Sequence, residues 1–261
     1  MRIALGIEYN GCQFNGWQIQ PNQKTVQGDL EAALSLVADE PIVKMQVAGR
    51  TDSGVHATEQ VVHFETSVHR NVKAWVLGTN SRLSGADISV LWAKPVTEQF
   101  HARFSALRRR YRYVLMSRQV RPTFLSKSVA WDYRQFDLAR MQEAAQYLVG
   151  EHDFNAYRTV KCQAQSPVKT VFELSISQDR NFFYFDIEAN SFLHHMVRNV
   201  AGVLMSIGTG EHEPQWAKEV LENKNRCLGG VTAPADGLYL TKVVYDKSFN
   251  LPNAEYPVPQ F

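Results

Sequence analysis

The chain reads as an α+β protein made of two βαββαβ units in tandem. Three observations lead there. Short runs that alternate apolar and polar residues, the period of a half-buried strand, are interleaved with longer runs whose apolar residues recur at helical spacing. The order strand, helix, strand, strand, helix, strand occurs in residues 1–105 and again in residues 106–249. A length of 261 residues accommodates two such units. This is the element order of ferredoxin-like subdomains. Set side by side, two of them would form an extended, mostly antiparallel sheet with helices on one face and a central cleft. No residue-level repeat accompanies the duplicated order.

In the first unit, residues 2–9 alternate as a strand. Thr25 is placed to cap a helix whose Val26, Leu30, Ala33, Leu34 and Val37 share a face. Residues 42–48 and 59–66 read as strands, 72–83 as a helix through Val72, Trp75, Val76 and Leu83, and 88–94 as a strand. In the second unit, Tyr111–Met116 is a strand. Phe136–Val149 is a helix with Asp137 near its start, closed by Gly150. Val171–Ser177 and Phe182–Glu188 form a hairpin around Gln178-Asp179-Arg180-Asn181. Helices follow over Leu193–Ile207 and Pro214–Leu221, and Leu238–Tyr245 is the last strand. Residues 250–261, with Pro252, Pro257 and Pro259, read as an extended tail.

Composition excludes several classes. The chain is 44% hydrophobic and 21% charged, an ordinary globular balance. No apolar run approaches the roughly 18 residues that span a bilayer. The first residues alternate like a strand and carry Glu8, which is not the pattern of a signal peptide. Cys12, Cys162 and Cys227 are odd in number and scattered. They point to a reducing, cytoplasmic setting and to neither a disulfide framework nor a zinc site. The chain lacks phosphate-binding GxxxxGK[ST] and dinucleotide fingerprints and paired metal-ligand clusters.

A net charge of +2 says little, but its distribution says more. Between His101 and Trp131 stand Arg103, Arg108, Arg109, Arg110, Arg112, Arg118, Arg121 and Lys127, with no acid among them. Phe104, Tyr111, Tyr113 and Phe124 are interleaved. Cations for phosphates and flat rings for bases are the means of RNA recognition.

The sharpest chemistry lies at Gly49-Arg50-Thr51-Asp52-Ser53-Gly54-Val55-His56-Ala57. A carboxylate sits at a glycine-punctuated break between two strands, with Arg50 two residues before it to favour its ionised form. Residue types alone read first as an Asx-turn. They also suit an aspartate nucleophile.

This segment resembles the catalytic loop of the tRNA pseudouridine synthase A family. So do Tyr9-Asn-Gly-x-x-Phe14-x-Gly16-Trp17-Gln18, Phe100-His101-Ala102-Arg103-Phe104-Ser105-Ala106 with Arg110-Tyr111-Arg112-Tyr113, Ser191-Phe192-Leu193-His194-His195-Met196-Val197-Arg198-Asn199, and Gly237-Leu238-Tyr239-Leu240. The matches run in order from about residue 3 to about residue 245. Ser53 stands where an alanine is common.

The resemblance implies an isomerase that converts uridine to pseudouridine in tRNA, around positions 38–40 of the anticodon stem-loop. It implies the two-unit architecture with the active site in the cleft, a homodimer, and no cofactor. It makes Asp52 the nucleophile and Tyr111 the residue that stacks on the base and assists proton transfer. Arg50 pairs with Asp52 or replaces the flipped base, Arg198 is a second partner for the carboxylate, and Leu240 lines the uracil pocket. Arg103, Arg108, Arg109 and Arg110 are the cations expected on phosphates. The competing readings are a non-catalytic RNA-binding protein of two RRM-like units and an aspartate-nucleophile hydrolase. The first leaves the Asp52 loop without a purpose. The second wants another carboxylate or a metal for water activation.

Overall fold

The computed structural model describes residues 1–159, 162, 165–252 and 259–261. The chain divides into two compact units: Met1–Leu107 with Tyr239–Gln260, and Arg108–Leu238 with Phe261. Each is a layer of mostly antiparallel strands covered by helices. No described helix is long and apolar enough to cross a membrane.

In the first unit the elements are β1 (Arg2–Tyr9), α1 (Val26–Ala38), β2 (Gln46–Val47), β3 (His56–Glu65), α2 (Thr79–Arg82) and β4 (Ile88–Val96). β1 is central, antiparallel to β3 on one side and β4 on the other, and β2 adds antiparallel to the far end of β3. This is the split βαβ arrangement that the order of elements predicts. Thr25 caps α1 as expected, its side chain accepting from the Gly28 N–H at 3.3 Å. Ile3, Leu5 and Ile7 of β1, Leu30 and Leu34 of α1, and Phe64 and Trp75 make the core. Phe64 and Trp75 meet edge to face at 5.4 Å.

Two expectations for this unit need correction. Residues 42–48 are a strand only at Gln46–Val47, because Lys44 takes φ 60° and breaks the extended run. Residues 72–83 are not one regular helix. A π-helical turn at Ala74–Gly78 runs into the short α2.

The second unit holds β5 (Ala106–Ser117), β6 (Ala130–Asp132), α3 (Leu138–Gln146), β7 (Gly150–Asp153), β8 (Val168–Asp179), β9 (Phe182–Ala189), α4 (Met196–Gly208) and α5 (Trp216–Asn223). Antiparallel pairing gives the order β5-β9-β8-β7, with β6 parallel to β5. Asp137 caps α3 by accepting from the Arg140 N–H at 3.1 Å. The β8–β9 turn is just Arg180-Asn181, with Arg180 at φ 52°. Gly150 does not close a helix: at φ 109° it opens β7. Helix α4 is buried along most of its length, including Val197, Val200, Ala201 and Leu204.

The last strand, β10 (Leu238–Tyr245), follows the second half in sequence, where the boundary 106–249 puts it. It pairs in parallel with β3, Tyr239 against His56 and Leu240 against Ala57. Tyr239–Gln260 thereby belongs to the first unit. The expected tail over 250–261 falls partly at 253–258, outside the described residues.

Candidate active site

In the first unit the Asp52 loop is the link from β2 to β3, and its shape is imposed from outside. The segment after β1 lies across it. Tyr9 Oη and Thr51 Oγ1 share a hydrogen bond of 2.7 Å, the Trp17 N–H donates to the Thr51 carbonyl at 3.0 Å, and Ser53 Oγ donates to the Phe14 carbonyl at 3.2 Å. Gln60 Nε2, from β3, donates to the Gly49 carbonyl at 2.7 Å. Gly16, at φ 82°, leaves no room for a side chain, since a Cβ there would stand 2.8 Å from the Thr51 carbonyl oxygen. Gly54, at φ 80°, makes the turn back into β3, and the Val55 N–H donates to the Asp52 carbonyl at 3.2 Å.

Thus the residues on either side of Asp52 are anchored, and its half-buried carboxylate is carried at a backbone position of fixed geometry. Arg50 is exposed on the same loop. Leu240 is buried in β10 opposite Ala57, at the exit of the loop.

His56 is buried. Its Nδ1 accepts from the Gly11 N–H at 3.1 Å, and its ring stacks on Tyr239 at 4.6 Å. It ties the loop exit to both the N-terminal segment and β10. Gly11 is held so close that a Cβ would lie 2.0 Å from the Val55 carbonyl oxygen. Backbone against backbone cannot relax cheaply. Gly11→Ala is therefore expected to destabilise the protein by about 1–3 kcal/mol and to lower activity with it. Denaturant melts check this, and stability equal to wild type would contradict the packing described.

Burial sets the electrostatics around the loop. It pushes the Tyr9 hydroxyl up to about 12, against hydrogen bonds from Thr51 and Gln60 that pull the other way, so Tyr9 stays neutral. Glu59, buried on β3, is raised to about 7 by desolvation, with Lys242 opposing. His63 is held down at about 4 by burial first, then by His101 and Arg2. Neutral His63 Nδ1 accepts from the Ala102 N–H at 3.0 Å, and His101 Nδ1 accepts from the Arg103 N–H at 3.1 Å. These bonds fold the 101–105 turn so that Arg103 and Phe104 are exposed side by side, the guanidinium 5.4 Å from the ring centre.

In the second unit, strand alternation sorts the arginine block. Arg108, Arg110 and Arg112 point to one face and meet acids from β8 and β9. The pairs are Arg108–Glu188 at 3.0 Å, Arg110–Glu173 at 2.7 Å with Glu188 at 3.3 Å, and a two-pronged Arg112–Asp186 contact at 2.7 and 2.9 Å. Arg108 also covers Phe172 at 4.3 Å. The opposite face carries Arg109, Tyr111 and Tyr113, all buried. Arg109 donates to the Asn190 carbonyl at 2.8 Å, and Tyr111 meets Phe192 edge-on at 5.0 Å. The Tyr113 hydroxyl is raised above its usual range, chiefly by burial.

Arg198, in the first turn of α4, donates from Nε to the Ala233 carbonyl at 2.8 Å. His195, at φ 64°, starts that helix, its ring 4.2 Å from that of His194. Arg109, Tyr111 and Tyr113 therefore share one face of β5, whereas Arg108 and Arg110 face the other way.

Comparison with known proteins bears on this arrangement. A family model described as tRNA pseudouridine synthase matches residues 7–105 and 144–246. A tRNA pseudouridine synthase A of Pseudomonas aeruginosa is 54% identical over all of this chain and 90% of its own. Relatives of the same name from Nitrosococcus oceani and Coxiella burnetii are each 52% identical, over 99% of both chains and over 96% and 95% respectively.

The chain belongs to the tRNA pseudouridine synthase family. It is an isomerase of the tRNA pseudouridine synthase A type. A solved chain of a Cbf5-Nop10-Gar1 complex aligns at a TM-score of 0.37 and 11% identity, over 91% of this chain and 48% of its own, too loose a match to bear on the fold.

Gln60, whose Nε2 holds the Gly49 carbonyl of the loop, is not evident as a loop anchor from the sequence alone, because the contact joins segments that meet only in the fold. Tyr9, Gly11, Gly16 and Trp17 lie in one of the matching motifs, and in the structure they pack and hydrogen-bond against the Asp52 loop and its exit.

Proposed function

We propose that this synthase isomerises uridine to pseudouridine in the anticodon stem-loop of tRNA, around positions 38–40, with Asp52 as nucleophile. The observation that carries the reading is the Asp52 loop itself. A half-buried carboxylate sits on a backbone pinned by Tyr9, Phe14, Trp17 and Gln60, in a chain whose relatives are named for this activity. Pinning the backbone is how a protein holds a nucleophile in attack geometry without spending substrate binding energy on ordering it.

The reaction conserves atoms. The bond from ribose C1′ to uracil N1 breaks, the base turns, C1′ bonds to C5, the C5 proton leaves, and N1 ends protonated. Asp52 holds one fragment meanwhile, by attack at C1′ or at C6. A target base in a helical stem must be flipped out first, at a cost of a few kcal/mol. Arg50, exposed on the loop, takes the place of the flipped base or pairs with the carboxylate. Tyr111 stacks on the uracil and assists removal of the C5 proton. Leu240 gives the pocket an apolar wall, and Arg198 balances the carboxylate's charge. The enzyme needs neither cofactor nor metal, and it works in the cytoplasm as a homodimer.

The test is an unmodified tRNA transcript incubated with the protein in chelator, followed by mapping of pseudouridine. Product confined to the 38–40 region is expected. Product elsewhere, or none, would contradict the assignment.

Phosphate contacts should make affinity fall with salt. Arg103, exposed beside Phe104, supports this role most directly, whereas Arg109 is buried and donates to the Asn190 carbonyl. Arg108 and Arg110 carry acidic partners that must be displaced or shared, so their contribution is reduced. Arg103→Ala is expected to flatten the slope of log affinity against log salt by up to about one unit. The Arg108, Arg109 and Arg110 triple alanine variant should change it by clearly less than three. Filter binding of tRNA across a salt series measures both, and an unchanged slope in the Arg103 variant would place the RNA path elsewhere.

A further inference from the structure

We propose that Arg226 is a positioning residue for Arg198, acting through the 226–233 segment. The inference rests on the role given above to Arg198. Arg226 opens a short 3-10 turn, Arg226–Leu228, beyond α5. Its guanidinium does three things at once. One nitrogen donates to the Gly230 carbonyl at 2.9 Å, while the other donates to Asn199 Oδ1 at 3.0 Å and to Thr232 Oγ1 at 2.9 Å.

Asn199 is the neighbour of Arg198 in the first turn of α4, and it is buried. Its Oδ1 also accepts from Thr232 Oγ1 at 2.7 Å, and its Nδ2 donates to the Tyr157 carbonyl at 2.8 Å. A single planar fork thus closes the segment on itself and fastens it to the helix.

The segment lies on α4 without a gap. A Cβ on Gly202 would sit 1.8 Å from the Val231 carbonyl oxygen, so only glycine admits this approach. Two residues beyond Val231, the buried Ala233 is bracketed by Arg198. The Ala233 N–H donates to the Arg198 carbonyl at 3.1 Å, and Arg198 Nε donates to the Ala233 carbonyl at 2.8 Å. Nε is the root of the guanidinium plane, so the carbonyl that holds it sets the orientation of the charged group. The Ala233 methyl group makes no hydrogen bond that could fix its carbonyl. Its carbonyl is held by the Ala233 N–H bond to α4 together with the clamp that Arg226, Asn199 and Thr232 place on the preceding residues. Loosening the clamp leaves Arg198 charged and present but wrongly aimed.

The test is a double-mutant cycle read by single-turnover rate at saturating tRNA, with tRNA affinity measured in parallel. Arg226→Gln is expected to slow the rate by about 10- to 100-fold, the scale of a misplaced group, with affinity within about two-fold of wild type. Arg226→Lys recovers only part of the rate, because one ammonium cannot hold both sides of the clamp. Thr232→Val, a same-sized change in the same network, gives a smaller loss and guards against a folding defect in the first variant. With Arg198→Ala as background, adding Arg226→Gln or Thr232→Val should cost nothing further.

Losses that multiply in the double variants, or a wild-type rate in Arg226→Gln and Thr232→Val beside a slow Arg198→Ala, would overturn the inference. A wild-type rate in Arg198→Ala would instead overturn the role of Arg198, and this inference with it.

Discussion

Asp52→Asn is expected to keep the fold and to lower turnover by on the order of 10⁴-fold or more. The substitution is nearly isosteric, and the hydrogen bonds that shape the loop run through Thr51, Ser53, Gly49 and the Asp52 backbone carbonyl. An amide in place of the carboxylate leaves those bonds standing. It removes the negative charge that makes the side-chain oxygen a nucleophile toward C1′ or C6. Pseudouridine formation over many turnovers measures the loss, and a thermal melt shows whether the loop survives. Retention of even a tenth of wild-type turnover would show that Asp52 is not the nucleophile.

Tyr111→Phe is the second large effect. If the hydroxyl assists departure of the C5 proton, its removal should slow a single-turnover reaction by about 10²-fold or more while affinity stays near wild type. The buried packing makes this variant cleaner than Tyr111→Ala. The ring lies edge-on to Phe192 within a buried face of β5, so phenylalanine preserves that contact. Alanine would remove stacking worth roughly 1–3 kcal/mol of binding. It would also leave a cavity costing about 3–5 kcal/mol of stability. A Tyr111→Phe enzyme that binds and turns over like wild type would reduce Tyr111 to a packing residue, with Asp52 itself the next candidate for proton acceptor.

Much of the fold is legible in the sequence because the signals are local. The alternation over residues 2–9 is β1, and the caps at Thr25 and Asp137 mark where α1 and α3 begin. What escapes is set by distant partners. The apolar run at 42–48 looks like a strand, but Lys44 turns left-handed and only two residues pair with β3. β6 and β7 are too short to show a period. The parallel pairing of β10 with β3 joins segments far apart in the chain and leaves no local mark.

The site divides in the same way. Asp52, Arg50, Tyr111, Arg198 and Leu240 can be named because their motifs are spelled in the sequence. The sorting of the arginine block cannot be read until the β5–β9 register is known, since only the register brings Arg112 opposite Asp186 and Arg110 opposite Glu188. Asn199 stands in one of the matching motifs, but its joining with Arg226 and Thr232 leaves no sequence signal, because the three meet only after α4 and the 226–233 segment have packed.

The central claim is that an Asp52-dependent isomerisation breaks the C5–H bond of uridines in the anticodon stem-loop. The most direct measurement is tritium release from tRNA transcripts labelled at C5 of uridine, comparing the wild-type enzyme with Asp52→Asn on wild-type tRNA and on a transcript with uridines 38–40 replaced by cytidine. The expected result is release by the wild-type enzyme from the uridine-bearing stem-loop alone, and none above background from Asp52→Asn. Release that persists in Asp52→Asn, or from the transcript lacking those uridines, would contradict it.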